Sequence, residues 1–238
     1  MADKKVDTTR DHERKPSVAD KKVDPTRDYE RKPSVGWYRV IRLFFTLVLH
    51  TIWPLKVKGA RYVPRQGAAI VVANHLSYID PFVIGYSANR LVSYMGKKEL
   101  FGMPFVGFLL RRVGGFPVDR SRPDAASMKV AMTVLKDGEL LGLFPEGTRG
   151  ETGEMQELRS GAARLAARMR VPILPAAVSG TERALPKGKL PRPARVRVAF
   201  GPPFELTELY NRNDKGEAME RAVEQIRERI EALQRQLA

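Results

Sequence analysis

The sequence predicts an α/β domain, with a mostly apolar central sheet flanked by helices and an N-terminal helical segment suited to a membrane interface. Apolar runs of strand length alternate with stretches of helical apolar period from residue 68 to the C-terminal end. Three of those runs are apolar at nearly every position, as expected of strands covered on both faces. Before the alternation begins, thirteen uncharged residues, Leu43 to Leu55, stand between cationic flanks.

The chain opens differently. Residues 2–18, ADKKVDTTRDHERKPSV, recur as residues 19–35, ADKKVDPTRDYERKPSV, changed only at Thr8/Pro25 and His12/Tyr29. In each unit two valines are the only aliphatic side chains larger than alanine, too little apolar surface to offset the entropy of ordering. Residues 1–36 are therefore read as a disordered charged tail, and two such polar units are too few for a solenoid.

Composition changes at Gly36. Over residues 37–58, Trp37, Tyr38 and Trp53 lie near the ends of the uncharged run, with Arg39, Arg42, Lys56 and Lys58 outside it. A spanning helix needs about twenty apolar residues, so the expected form is an interfacial or re-entrant helix with aromatics at headgroup depth and cations on lipid phosphates. A buried core helix is the competing reading.

Residues 59–238 carry the α/β pattern. AAIVVAN (68–74), LVSYMG (91–96), GGFPVD (114–119), LLGLF (140–144), VPILPAAV (171–178) and RVRVAF (195–200) read as strands. RVRVAF alternates, which suggests a half-exposed or edge strand. The two prolines of VPILP remove backbone donors and place that run at a sheet edge or a site wall. Asp124–Asp137, ending at Gly138, Ser160–Arg170 and Asp214–Gln236 have the apolar spacing of helices.

The formal charge is +15, of which the first 36 residues supply only +2 (ten Lys/Arg against eight Asp/Glu). The basic body favours anionic partners: a membrane face, phosphate-bearing small molecules or nucleic acid. The stretch KGKLPRPARVR (187–197) has no acidic residue and would support a non-catalytic nucleic-acid or membrane binder, but no RNA-binding or helix-turn-helix signature accompanies it. The chain has no cysteine, which excludes disulfides, thiolate metal sites and a cysteine nucleophile. A charged N-terminus without the apolar core of a signal peptide leads to an expected cytoplasmic location.

The three histidines are His12 in the tail, His50 in the apolar segment and His75. If a histidine serves as general base, elimination points to His75, which opens the loop after the strand AAIVVAN, where α/β folds place reacting groups. Asp80 stands five residues on and is followed by Pro81. It can orient His75, or simply act as a helix N-cap with proline at the first helical position, or form a capping box with Ser77. A second block, Phe144-Pro145-Glu146-Gly147-Thr148-Arg149, follows a buried strand, with a glycine turn and a guanidinium suited to phosphate. Glu146 can equally be an ion-pair partner of Arg149 or another cation. GGFPVDR places Arg120 just after a further strand.

In order, NHLSYID, GGFPVDR, FPEGTRG and VPILP resemble the four conserved-pattern blocks of the glycerolipid acyltransferase family over residues 37–204. FPEGTR together with NHxSxxD is highly specific. The resemblance implies transfer of a fatty acyl group from acyl-CoA or acyl-carrier protein to the sn-2 hydroxyl of lysophosphatidic acid, forming phosphatidic acid in phospholipid biosynthesis. It implies His75 as the base and Asp80 as its orienting carboxylate. Arg120 and Arg149 would hold the acceptor phosphate, with Glu146, Gly147 and Thr148 shaping the loop. Lys97 matches a basic position between the first two blocks, with Lys98 competing for it.

Two positions depart from the family pattern, Gly150 where serine is common and Pro117 where an aliphatic residue is usual, and neither removes a titrating group. No GxSxG elbow is present and no metal or cofactor is expected, so direct attack on the thioester is the expected route. Other acceptors, such as glycerol-3-phosphate, another lysophospholipid or an amino-acid lipid, fit the same blocks. The partner surface would be an anionic membrane, with the enzyme monotopic or peripheral on its cytoplasmic face and FGMPFVGFLL (101–110) as part of an acyl tunnel.

Overall fold

Residues 69–73, AIVVA, are buried at every position and form the middle strand of the sheet in the computed structural model, which describes residues 35–119, 125–147, 155–210 and 216–237. Residues 1–34 of the expected disordered tail lie outside the described residues. The strands are β1 (Leu55–Lys58), β2 (Ala69–Ala73), β3 (Val92–Lys97), β4 (Phe116–Val118), β5 (Leu140–Leu143), β6 (Ile173–Ser179) and β7 (Val196–Phe200), in the spatial order β1-β7-β6-β2-β5-β3-β4. All neighbours are parallel except β6 and β7. β2, β3, β4, β5 and β6 therefore end on the same side of the sheet.

The helices are α1 (Val35–Thr51), α2 (Asp80–Ala88), α3 (Lys98–Gly102), α4 (Pro104–Arg112), α5 (Ala125–Lys136), α6 (Gly161–Met169), α7 (Thr181–Ala184) and α8 (Gly216–Leu237). Because β2 side chains alternate, Ile70 and Val72 pack with α5, α6 and α8, while Val71 and Ala73 pack with α1 and α2. Helices thus cover both faces, as the continuous apolar runs require. Gly138 ends α5 with φ 75° and Arg170 ends α6 with φ 52°, both left-handed C-terminal positions.

Four expectations are corrected. LKVK, assigned from sequence to the interfacial segment 37–58, is β1, a sheet strand paired with β7 from Leu55↔Val196 to Lys58↔Ala199. The edge position expected of RVRVAF belongs instead to this short cationic strand, and charges on an edge discourage further pairing. VPILP is not at an edge either: β6 lies between β7 and β2. Pro175 is tolerated there because its carbonyl, which accepts from Gly201 N at 2.9 Å, faces β7 where that ladder ends, so its missing donor costs no bond in the middle of the ladder.

Trp53 is the fourth. It is 7% exposed, inside the core, with Nε1 donating to the Arg192 carbonyl at 2.8 Å, and not an aromatic at the rim of an interfacial helix. The helix ends at Thr51, and Phe45, Leu49 and Trp53 turn inward while Val40, Leu43, Phe44 and Leu47 are exposed. No helix among the described residues is long and apolar enough to cross a membrane.

Candidate active site

The chemistry-bearing residues gather where parallel strands end. His75 follows β2, Glu146 follows its neighbour β5, and Lys97 closes β3. Asn74 fixes the end of β2 against β6: its Nδ2 donates to Val178 O at 3.0 Å and its Oδ1 accepts from Val178 N at 2.9 Å. His75 therefore leaves a strand whose end is tied to β6 by two bonds.

Asp80 closes the loop. Its Oδ2 accepts from His75 Nδ1 at 2.8 Å, Leu76 N at 2.6 Å and Ser77 N at 2.7 Å. The carboxylate is fully buried and the imidazole 15% exposed, so the pair is shielded while one ring edge remains reachable. Sequence had allowed Asp80 to be an N-cap, but that position is held by Ile79, with no side-chain bond, and Asp80 is the first helical residue. Its side chain turns back over the loop instead of forward into the helix. Only half of a capping box forms, because Ser77 Oγ donates to Leu185 O at 3.0 Å.

Glu146 does not serve as an ion-pair partner in the described contacts. Its Oε1 accepts from His75 N at 3.0 Å and its Oε2 from Gln156 N at 3.3 Å. Burial pushes its carboxyl above the ordinary glutamate value, against the lowering effect of those two amide bonds. Gly147 follows with φ 71°, a left-handed turn that favours glycine. Arg120, Thr148 and Arg149 lie outside the described residues.

Of the two competing lysines, Lys98 is paired with Asp119 at 2.7 Å. Lys97 lines the cavity beside His75 and, among the described residues, has only a long 3.9 Å ion-pair contact, with Glu99, both side chains being largely exposed. Such a pair holds a lysine weakly, leaving Lys97 the better placed of the two to meet an anion.

An aromatic stack went unread in the sequence. The Phe144 ring lies over His75 at 4.1 Å between centroids, and Tyr94 lies over Phe144 at 5.6 Å, with interplanar angles of 18° and 13°. Burial and the nearby Asp80 charge hold the Tyr94 hydroxyl far above its usual value, so it stays neutral. Room for its ring comes from Gly142, where a Cβ would stand 2.0 Å from Tyr94 Cε1. The only sequence signal was an apolar strand interrupted by glycine.

His75 and Phe144 stand at the wall of a cavity of about 720 Å³ whose lining is mostly apolar, including Met95, Val106, Leu109 and Leu110. The FGMPFVGFLL run lines it through α3 and α4. A site of this kind can remove a proton from a hydroxyl beside an apolar chain. Among the described residues no group of three or more metal-ligating side chains occurs.

The sequence model of the acyltransferase family matches residues 54–179, just over half the chain, and spans β1 to the end of β6. The chain belongs to the acyltransferase family. As an O-acyltransferase it is 30% identical over 185 residues to the 1-acyl-sn-glycerol-3-phosphate acyltransferase of Bacillus subtilis, covering 77% of this chain and 89% of that one. It is 32% identical to the enzyme of the same name from Streptococcus pneumoniae, covering 74% and 68%, and 35% identical to that of Limnanthes douglasii, covering 63% and 54%. Its fold matches the crystal structure of the 1-acyl-sn-glycerophosphate acyltransferase PlsC from Thermotoga maritima with a TM-score of 0.67 at 25% identity, over 82% of this acyltransferase and 79% of PlsC.

Proposed function

We propose that the enzyme transfers a fatty acyl group from a thioester, on CoA or acyl-carrier protein, to the sn-2 hydroxyl of 1-acylglycerol-3-phosphate, forming phosphatidic acid. The observation that carries this reading is the His75–Asp80 contact at the wall of the apolar cavity. The names of the relatives favour the acceptor.

With Nδ1 facing the Asp80 carboxylate, the neutral imidazole keeps its proton there and presents Nε2 as the free acceptor. The acceptor hydroxyl gives its proton to Nε2 as its oxygen bonds to the thioester carbonyl carbon. Asp80 stays ionised and stabilises the imidazolium. The C–S bond then breaks and the thiolate leaves with the proton returned by His75, so neither an acyl-enzyme nor a metal enters the proposed route. Lys97, Arg120 and Arg149 hold the acceptor phosphate in this scheme, and the acyl chain occupies the cavity lined by α3 and α4.

The exposed apolar face of α1 is read as the membrane-contacting surface. Leu43 is 71% exposed and Leu47 63%, on the side opposite the core-facing Phe45 and Leu49. An interfacial enzyme of this kind would draw its acceptor from the bilayer.

The experiment is a substrate panel: purified enzyme with acyl-CoA or acyl-acyl-carrier protein, offered lysophosphatidate, glycerol-3-phosphate and lysophosphatidylcholine, with products read by mass spectrometry. Phosphatidate formed from lysophosphatidate is the expected result. Preferential acylation of either other acceptor would replace the proposed substrate.

A further inference from the structure

Residues 186–195, PKGKLPRPAR, contain four cations and no carboxylate. Leu190, near the middle of the loop, is 83% exposed, the most exposed of the large apolar side chains described. The loop is not loosely attached. Arg192 N donates to Ala184 O at 2.8 Å, the Arg192 carbonyl accepts from Trp53 Nε1, and Val196 N donates to Pro54 O at 3.1 Å. It is thus fastened to the chain just beyond α1, where Ile52 is 44% exposed. Leu185, just before the loop, lines the cavity and accepts from Ser77 in the His75 loop.

We propose that the 186–195 loop is a second membrane-contact element: Leu190 enters the boundary of an anionic bilayer while Lys189, Arg192 and Arg195 meet lipid phosphates. Pro186, Pro191 and Pro193 restrict the backbone and lower the cost of ordering it at a surface. An exposed leucine within a carboxylate-free basic loop suits the headgroup boundary, where the cations meet phosphates and the apolar chain leaves water. Together with α1 the loop gives two contacts that orient the protein, and its link through Leu185 brings the second contact beside the reacting groups. The inference rests on the reading of α1 as membrane-facing.

The full chain has no cysteine, so Leu190→Cys and, separately, Leu43→Cys each create a single site for an environment-sensitive fluorophore. On vesicles of phosphatidylglycerol and phosphatidylcholine both probes shift to the blue. K189S/R192S/R195S in the full chain weakens vesicle binding by roughly fivefold per cation, an effect that salt diminishes. Its turnover of a water-soluble short-chain acceptor stays at the wild-type rate, which separates lost docking from lost folding. A Leu43 probe that shifts while the Leu190 probe stays in water overturns the loop contact and leaves the α1 reading standing. If neither shifts, both fall. A Leu190 shift given by acidic acyl-carrier protein or duplex DNA but not by vesicles assigns the loop to that partner and overturns the proposal.

Discussion

The Asp80 carboxylate holds His75 Nδ1 at 2.8 Å and the amides of Leu76 and Ser77 with the same oxygen. One atom therefore sets both the ring and the loop that presents it. Base catalysis is worth about 10²–10⁴-fold, so His75→Ala is expected to lose at least about 10²-fold in kcat while its thermal unfolding stays close to that of the wild type. Asp80→Asn is expected to lose activity and also stability, because a neutral amide oxygen accepts the three bonds more weakly than the carboxylate does, and its NH2 group would be buried where Oδ1 has no partner among the described residues. A His75→Ala enzyme retaining a tenth of wild-type turnover would remove His75 from the role of base.

The stack of Tyr94 on Phe144 on His75 predicts a positioning effect separable from substrate binding. Phe144→Leu keeps an apolar side chain but loses the flat surface over the imidazole, an interaction of about 0.5–1.5 kcal/mol. The expected outcome is a several-fold fall in kcat. Gly142→Ala drives a methyl into the Tyr94 ring and is expected to cost about 1–3 kcal/mol in urea unfolding, with kcat lowered as the stack shifts. The double change Gly142→Ala with Tyr94→Leu should recover part of that stability; no recovery would show that the glycine serves something other than the ring.

Much of the sheet was legible because period and burial agree: AIVVA, LLGL and the first part of β6 are apolar on both faces and sit in its middle. What misled was local pattern without neighbours. RVRVAF alternates like an edge strand, yet the edge is covered by LKVK, a four-residue run too short to stand out beside a long apolar helix. Trp53 has the sequence setting of an interfacial aromatic and becomes a core residue because the Arg192 carbonyl, 139 positions away in sequence, meets its indole. In the site, histidine and aspartate could be read from spacing and resemblance, whereas Tyr94 could not. Its place depends on β3 lying beside β5, with Tyr94 opposite Gly142.

The apolar cavity leads to a prediction on chain length. Val106 and Leu110 line it from α4. Replacing either with tryptophan adds bulk inside the space proposed for the acyl chain. The expected outcome is a shift of the preferred acyl donor to shorter chains, measured as kcat/KM across an acyl-CoA series, with the shortest donors turned over near the wild-type rate. Equal loss at every length would place the chain elsewhere.

Glu146 predicts a pH signature. Burial raises its folded-state pKa above the ordinary value, and its two oxygens take the amides of His75 and Gln156. The folded protein consequently holds that proton to higher pH than the unfolded chain does, so stability from this group is fully present below the ordinary glutamate pKa and is lost as pH rises through the folded one. Glu146→Gln has no such titration. Urea unfolding of both proteins across pH should therefore give a wild-type advantage that is greatest in acid and shrinks as pH rises, after the other carboxylates cancel in the difference. An advantage that grows with pH would mean that the amide bonds outweigh burial and that the carboxylate is held in its charged form.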